Sequence, residues 1–131
     1  MNTVRVGISR EMKVTVGNEN AISFLGNENA RVLSTPSMIM YMEITSRDMV
    51  KDHLEPGHDT VGTHVDVRHL AATPLGMEVR FRAEVIGVED RRIRFKVEAF
   101  DDKEKIGDGT HERAVIDIGR FAGRVQSKRG S

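Results

Sequence analysis

The stretch over residues 34–54 constrains this chain more than any other, because it predicts one long helix with a carboxylate in its most apolar part. Its sequence is STPSMIMYMEITSRDMVKDHL. Thr35 supplies a hydroxyl for the N-cap, Pro36 suits the first helical position, and residues 55–57, Glu-Pro-Gly, end the pattern. A helix that is apolar on nearly every side is usually buried. The sequence therefore predicts a buried helix that the remaining elements cover, with Glu43 in its most apolar part.

Alternation of apolar and polar residues is typical of the segments that follow the helix, and it predicts strands. These segments cover residues 60–72, 77–88, 92–100 and 106–118, and residues 5–16 alternate more loosely before the helix. One helix leaves the second face of such a sheet to water, which agrees with the charged residues at the outward positions. The order of elements therefore predicts an α+β hot-dog fold over residues 1–125, in which a curled antiparallel sheet wraps one long helix. A homodimer that continues the sheet would protect its edge strands.

Glycine and asparagine recur before the helix, where the sequence GNEN occurs at residues 17–20 and again at residues 26–29. Both residue types tolerate positive φ, so we interpret the two copies as turns rather than as a structural repeat. Between them, residues 21–25 are predicted to form a short helical turn or a lid. At the other end of the chain, residues 126–131 are basic and small and are predicted to form a disordered tail.

Composition excludes several classes of protein. The 131 residues hold 20 Lys and Arg against 20 Asp and Glu, and this balance argues against binding to nucleic acid through a basic surface. The absence of cysteine excludes disulfides, thiolate metal sites and a cysteine nucleophile. The longest unbroken apolar run, residues 38–42, is too short to span a membrane, and no signal peptide is visible at the start. We therefore expect a cytoplasmic protein without a membrane partner.

Glu43 and Thr35 are the first two candidates for chemistry. An ionised carboxylate is costly to bury unless it is paired or hydrogen-bonded, so Glu43 needs a partner or a functional reason. In the alternative interpretation, Glu43 lies on an exposed stripe with Arg47, four residues later. Thr35 has a structural explanation of its own as the helix N-cap. Eight residues separate Thr35 from Glu43, a rise of about 12 Å along a helix, so a substrate could lie between them but the two side chains cannot touch.

Three residues later in the chain are further candidates. His69 falls at an inward strand position, where a histidine is more often a core residue than a catalyst, although near a carboxylate it would suit acid–base work at neutral pH. Gly62 either marks the entry to its strand or offers its backbone N–H to a ligand carbonyl. Arg113 either forms a surface ion pair or binds a phosphate or an internal carboxylate. His64 and Asp66 lie on the opposite strand face from His69, and two ligands are too few, so no metal site is predicted.

Three segments carry a resemblance to a known family. They are the helix over residues 34–54, the sequence PGHDTVGTHVDVRHLAATPLG over residues 56–76, and IGDGTHERAVIDIGRF over residues 106–121. Within them, HxxATPxG and GTHERxVI are the most specific markers. Together these segments resemble the fluoroacetyl-CoA-specific thioesterase family of hot-dog proteins over residues 32–121. That family forms a homodimer with a long helix wrapped by sheet, as the pattern of helix and strands also predicts.

The resemblance implies a site and an activity. The family's catalytic Thr, Glu and His fall on Thr35, Glu43 and His69, and its ligand-facing glycine and its arginine fall on Gly62 and Arg113. The implied reaction is hydrolysis of a short acyl-CoA thioester to the free acid and CoA, with no metal and no cofactor beyond the CoA of the substrate. Such a site needs a nucleophile, a proton carrier and a donor to the oxyanion. Thr35 and Glu43 both stay candidates for the nucleophile, while His69 would move protons and Gly62 would steady the oxyanion.

Departures from the family pattern predict a different acyl group. The fluoroacetyl-specific member has an aromatic-rich lid before the catalytic threonine, whereas residues 21–31 of this chain hold only Phe24, and Pro36 follows Thr35 directly. We therefore expect an acyl-CoA thioesterase that is not specific for fluoroacetyl-CoA. Two other functions stay open. One is a hot-dog protein that binds an acyl-CoA or similar small ligand without turnover. The other is a hydratase or dehydratase on the same fold, which would place its acidic residue and histidine on a different loop.

Overall fold

The computed structural model describes residues 2–130, which form two α-helices, five β-strands and a short 3₁₀ helix. The strands are β1 (Ser9–Thr15), β2 (His58–His69), β3 (Glu78–Glu89), β4 (Arg92–Phe100) and β5 (Lys105–Asp117). The helices are α1 (Thr35–Lys51) and α2 (Ile118–Gly130), and the 3₁₀ helix covers Glu28–Ala30. The order of strand, long helix and four strands is confirmed.

All five strands belong to one antiparallel sheet with the order β1-β3-β4-β5-β2. Helix α1 packs across one face of this sheet and contacts β1, β2, β3 and β4. Within residues 2–130, β2 pairs with β5 alone, so β2 forms one edge of the sheet and β1 forms the other. The strand that carries Gly62 and His69 therefore has one side open to a further strand.

The core lies between α1 and the inward face of the sheet. The apolar side chains that α1 buries there are Met38, Met42, Met49 and Val50. The inward positions of β3 and β4 are fully buried, and they are occupied by Val79, Phe81, Ala83, Val85, Ile93, Phe95, Val97 and Ala99. The period of two therefore predicted the correct faces of these strands. The outer side of α1 is open, with Met40 45% and Ile44 36% exposed, because the sheet covers only one side of the helix.

The segment between the two GNEN copies holds a turn but no helix. Ala21 pairs with Leu33 in an isolated β-bridge, and residues 24–25 lie in a turn closed by a hydrogen bond from the Gly26 N–H to the Ser23 carbonyl at 3.3 Å. The helical turn lies later, at Glu28–Ala30, where the Asn27 side chain caps it by accepting a hydrogen bond from a backbone N–H. The segment between the two GNEN copies therefore runs beside the entry to α1.

The end of the chain also differs from the prediction. A disordered tail was expected over residues 126–131, whereas residues 126–130 are the last turns of α2. Ile118, Phe121 and Val125 recur at helical spacing, which favours a helix here, although none of the residues of α2 is buried. Ser131 lies outside the described residues. Neither of the two helices combines the length and the apolar character needed to cross a membrane.

Candidate active site

The first turn of α1 presents Thr35 to the surface instead of using it as the cap. Ser34 is the N-cap, because its hydroxyl accepts a hydrogen bond from the Ser37 N–H at 3.1 Å. Thr35 is already the first helical residue, and Pro36 is the second. The capping role expected for Thr35 is therefore wrong. Its hydroxyl takes a different partner and lies 2.7 Å from Nδ1 of His69.

His69 is the last residue of β2, and its two ring nitrogens differ in their surroundings. Nε2 is buried and has no hydrogen-bond partner within residues 2–130, whereas Nδ1 contacts Thr35. Burial disfavours the charged imidazolium and lowers the pKa of His69 below its ordinary value of 6.5. In the neutral tautomer with its hydrogen on Nε2, His69 accepts the hydroxyl proton of Thr35 at Nδ1. The pair therefore has the geometry of a hydroxyl beside its base.

Glu43 lies about two turns further along α1 and pairs with Arg113 of β5. Its Oε2 atom is 3.3 Å from Nη1 of Arg113, and its side chain is 40% exposed. The alternative that pairs Glu43 with Arg47 is wrong, because Arg47 instead forms two hydrogen bonds to the carboxylate of Asp59, at 3.1 and 2.7 Å. Glu43 is thus a carboxylate that contacts a buried cation and is still open to solvent.

Arg113 is buried, with 5% of its surface exposed, and it is held by several acceptors. It donates from Nε to the Thr60 hydroxyl at 2.7 Å and from Nη2 to the Thr60 carbonyl at 2.9 Å. Burial lowers the pKa of Arg113, and the negative charge of Glu43 offsets part of that effect. A guanidinium keeps its proton in proteins, so a permanent positive charge lies beside the carboxylate. Arg113 therefore contacts an internal carboxylate and is not the surface ion pair of the alternative interpretation.

Gly62 of β2 lies against the carboxylate of Glu43. A Cβ at this position would come within 2.6 Å of Glu43 Oε2 and 3.5 Å of Arg113 Nη1. The pairing of β2 with β5 also shifts register directly after Gly62. The missing side chain of Gly62 thus makes room for the ion pair of Glu43 and Arg113. A glycine that only marks the entry to a strand would not need this space. Its role as a donor to an oxyanion stays a prediction.

Replacing Gly62 by Ala should lower turnover more than stability, because the new methyl group would displace the flexible end of Glu43 rather than backbone. We expect kcat to fall about tenfold, since Glu43 is proposed below to act on the reacting groups and small displacements of such a group are costly. The free energy of unfolding should change by less than about 1 kcal/mol. Turnover and urea unfolding measure the two effects. Gly87→Ala is the matched control, because a Cβ there makes only ordinary contacts with Arg94. Full turnover in Gly62→Ala would contradict the expectation.

Sequence reasoning missed one residue of this cluster, His111 of β5. It is 1% exposed, and its Nε2 atom lies 3.3 Å from Nη1 of Arg113. A signal was present, because His111 precedes Arg113 by two residues in a strand and so shares its face.

The candidates form two separate clusters within one chain: Thr35 with His69, and Glu43 with Gly62 and Arg113. The helical rise between Thr35 and Glu43 is about 12 Å. Seven residues of strand between Gly62 and His69 span about 23 Å. Groups that react with one carbonyl must approach it to about 3–3.5 Å. A single chain therefore does not bring both clusters onto one reacting carbon.

An open cleft of about 410 Å³ begins at the pair of Thr35 and His69. Its remaining lining is almost wholly apolar and consists of Ile22, Phe24, Val32, Leu33, Ser34, Leu70, Ala71 and Ala72. Phe24 is 79% exposed and comes from the segment between the two GNEN copies. An apolar cleft that ends at two polar groups is suited to a small ligand with one reactive polar centre.

The arrangement points to acyl transfer. A hydroxyl hydrogen-bonded to a neutral imidazole is the arrangement of an activated nucleophile. Within the described residues, no three His, Asp or Glu side chains are grouped so that they could hold a metal ion. With one long helix against a five-stranded antiparallel sheet, the fold and the site define a hot-dog thioesterase.

Comparison with known proteins identifies the family. The model of the fluoroacetyl-CoA-specific thioesterase family, FlK, matches residues 16–118, and the chain belongs to this family. The fluoroacetyl-CoA thioesterase of Streptantibioticus cattleyicolor is 42% identical over 101 residues, which cover 77% of this chain and 73% of that protein. The hot-dog fold and the thioesterase class predicted from the sequence are thereby confirmed.

Solved structures agree with this assignment. The structure of the fluoroacetyl-CoA thioesterase FlK is 35% identical, with a TM-score of 0.87 over 97% of this chain and 98% of that chain. A variant of FlK has been solved in complex with fluoroacetate and CoA. A thioesterase superfamily member from Thermus thermophilus is 27% identical, with a TM-score of 0.90 over 99% of this chain and 96% of that chain.

Proposed function

We propose that this protein hydrolyses a short acyl-CoA thioester to the free acid and CoA. The observation that carries the proposal is the 2.7 Å hydrogen bond between Thr35 Oγ1 and His69 Nδ1 at the end of the apolar cleft. Membership of the thioesterase family and the complex of FlK with fluoroacetate and CoA support a CoA thioester as the substrate. We infer a cytoplasmic enzyme that needs no metal and no cofactor beyond the CoA of its substrate.

The proposed reaction begins at Thr35. Its Oγ1 atom attacks the thioester carbonyl carbon while the hydroxyl proton passes to Nδ1 of His69. The tetrahedral intermediate then breaks its C–S bond, and the CoA sulfur leaves with that proton. A threonine hydroxyl is a weak nucleophile without an adjacent base, and the contact with His69 supplies that base. Of the two candidates for the nucleophile, this geometry favours Thr35 over Glu43.

Hydrolysis of the acyl-threonine completes the cycle. A water attacks the acyl carbon, its proton passes to Nδ1 of His69, and the same proton returns to Oγ1 of Thr35 as the free acid departs. We assign Glu43 to this second half, where its carboxylate accepts a hydrogen bond from the attacking water and orients it. The contact with Arg113 supports this assignment, because it holds the carboxylate in one place while leaving the side chain 40% exposed.

We further propose a homodimer in which two β2 strands pair and each active site is shared. Residues 62–66 of this edge strand are all exposed, and an open edge is a template for another chain. In an antiparallel β2–β2 pair, a two-fold axis midway between Gly62 and His69 would place Gly62 of each subunit opposite His69 of its partner. Glu43 of one subunit would then approach Thr35 of the partner, which unites the two clusters that one chain keeps apart.

The acyl group is proposed to be short and different from fluoroacetyl. Among residues 2–130, Phe24 is the only aromatic side chain that lines the cleft, and it comes from residues 21–31, whereas the resemblance to the family implies several aromatics there in the fluoroacetyl-specific member. The other walls are aliphatic, and aliphatic walls discriminate mainly by size, at about 10–200-fold per methylene. We therefore expect selection by chain length rather than by a fluorine atom.

Release of free thiol from a panel of acyl-CoA substrates tests the proposal. The panel runs from acetyl-CoA to octanoyl-CoA and includes branched, aromatic and fluoroacetyl thioesters. We expect turnover of a group of short acyl-CoA substrates with no preference for fluoroacetyl-CoA. Absence of thiol release from every substrate, together with acyl-CoA retained by the protein in native mass spectrometry, would overturn hydrolysis in favour of a non-catalytic binding protein.

A further inference from the structure

His111 takes no part in the reaction proposed above, yet it is the most enclosed titratable side chain of the site. It is 1% exposed, and its ring stacks on Phe95 of β4 with the centroids 5.8 Å apart and the planes inclined by 27°. On its other side, Cε1 lies 3.4 Å from the position that a Cβ would take at Gly62. The ring is therefore packed between the sheet and the cluster that holds Glu43.

The hydrogen bonds of His111 select one tautomer. Nδ1 lies 2.8 Å from the carbonyl oxygen of His64, which can only accept, so Nδ1 carries the hydrogen. Nε2 lies 3.3 Å from Nη1 of Arg113, which can only donate, so Nε2 presents its lone pair. Both contacts are satisfied by the neutral Nδ1–H form. An imidazolium would direct an N–H at the guanidinium and lose the second contact.

The guanidinium of Arg113, which Nε2 of His111 contacts, also contacts the carboxylate of Glu43. Nη1 of Arg113 is 3.3 Å from Nε2 of His111 and 3.3 Å from Oε2 of Glu43. Thr60 holds Nε and Nη2, so the planar guanidinium can move only by tilting about those two bonds, and His111 and Glu43 limit this tilt at Nη1. Loss of the acceptor on His111 would leave this nitrogen with one partner and free it to shift.

We propose that His111 is a positioning residue that, as the neutral Nδ1–H tautomer, fixes Arg113 and through it the carboxylate of Glu43. This inference rests on the role proposed for Glu43. It separates two functions among the histidines of the fold. His69 exchanges protons with the reacting groups, whereas His111 works only while it stays neutral.

The surroundings of His111 define the pH range in which it acts. The charged and titratable groups that face it are Arg113 on β5, Glu43 on α1 and His64 on β2, while Phe95 on β4 carries no charge. Burial is the largest cause that lowers the pKa of His111, and Arg113 and His64 lower it further, against opposing effects of Glu43 and of the bond to the His64 carbonyl. His111 is therefore neutral at pH 7, and acid should disable it along with His69.

Two substitutions separate positioning from packing. His111→Gln keeps an acceptor for Arg113, and His111→Phe keeps the ring without any acceptor. We expect the Phe variant to lose about 10²-fold in kcat with little change in KM, because a small shift of Glu43 is costly. The Gln variant should recover most of that loss.

The same variants differ in their pH dependence. On the acid side, the slope of log kcat against pH should be near two in the wild type, because both His69 and His111 must be neutral. It should be near one in the Gln variant, where only His69 titrates. His53→Gln is the control, because His53 bonds to Thr3 at the end of α1.

A measurement that needs no turnover completes the test. Nitrogen-15 spectra of the ring should show the Nδ1–H tautomer at pH 7, and the Arg113 side-chain resonances should shift in His111→Phe and stay near the wild-type positions in His111→Gln. An Nε2–H tautomer, an imidazolium at pH 7, or equal losses of kcat in the two variants would overturn the proposal. A wild-type protein without thioesterase activity would overturn the proposed function, and these spectra would then decide the role of His111.

Discussion

Thr35→Ala is expected to lower kcat by at least about 10⁴-fold, since removal of the activated nucleophile costs about 10⁶-fold in serine-protease chemistry. The KM and the melting temperature should stay close to the wild-type values. Ser34 rather than Thr35 caps α1, and the Thr35 side chain is exposed and makes one hydrogen bond, to His69. The helix therefore loses little when the hydroxyl is removed. Thiol release under saturating substrate, with thermal unfolding alongside, measures both effects.

Thr35→Ser and Thr35→Val are the matched controls for this variant. Serine keeps the hydroxyl beside His69, so its kcat should stay within about tenfold of the wild type. Valine keeps the shape without the hydroxyl and should behave like alanine. If Thr35→Ala retained wild-type kcat, the attacking group would be water or Glu43, and the acyl-threonine would have to be abandoned.

Glu43→Gln is expected to lower kcat by about 10³-fold, within the range that a positioned acid–base group contributes. The amide oxygen can still accept from Arg113, but the buried guanidinium loses its paired charge, so the free energy of unfolding should fall by about 1–3 kcal/mol. Since Glu43 is assigned to the second half of the reaction, the variant should accumulate an acyl group on Thr35. Mass spectrometry of the protein during turnover detects this adduct as an added acyl mass.

Glu11→Gln is the control for the Glu43 substitution, because Glu11 pairs with Arg80 on the exposed side of β1, away from the site. It should retain wild-type activity. Wild-type kcat in Glu43→Gln would remove both roles considered for this carboxylate, nucleophile and orienting base. A low kcat without any acyl adduct would place Glu43 in the first half of the reaction instead.

Mixing the two inactive variants tests whether the sites are shared. If Thr35 and His69 of one subunit work with Glu43 of the partner, a heterodimer of Thr35→Ala and Glu43→Gln has one intact site. An equal mixture that exchanges subunits should then regain roughly a quarter of the wild-type activity. Sites confined to single chains would regain none, and that result would contradict the shared site.

The elements of the fold were readable from the sequence because they depend on local periodicity. The long apolar helix and the strict alternation in residues 77–88 and 92–100 predicted α1, β3 and β4 with their buried faces, since each face follows from backbone geometry alone. The prediction was less reliable where the apolar pattern is weak, as it is at the end of the chain. Residues 126–130 lack apolar side chains, which predicts a disordered tail, although they continue a helix that begins at Ile118.

Thr35, Glu43 and His69 could be singled out from the sequence, but their partners could not. The sequence pattern predicted Thr35 as the cap, whereas Ser34 caps α1, and the backbone geometry alone decides between these adjacent hydroxyl residues. Nothing in the order of residues says which atom of His69 contacts Thr35, because 34 positions separate them.

The sequence by itself determined the class of fold, the strand faces and a short set of chemically suitable residues, since these depend on composition and on spacing along the chain. The tertiary structure alone decided that Glu43 pairs with Arg113, 70 residues away, that Gly62 leaves room for that pair, and that His111 completes it. These relations depend on how α1, β2 and β5 approach one another, and a distance of a few ångströms between distant residues has no local signature in the sequence.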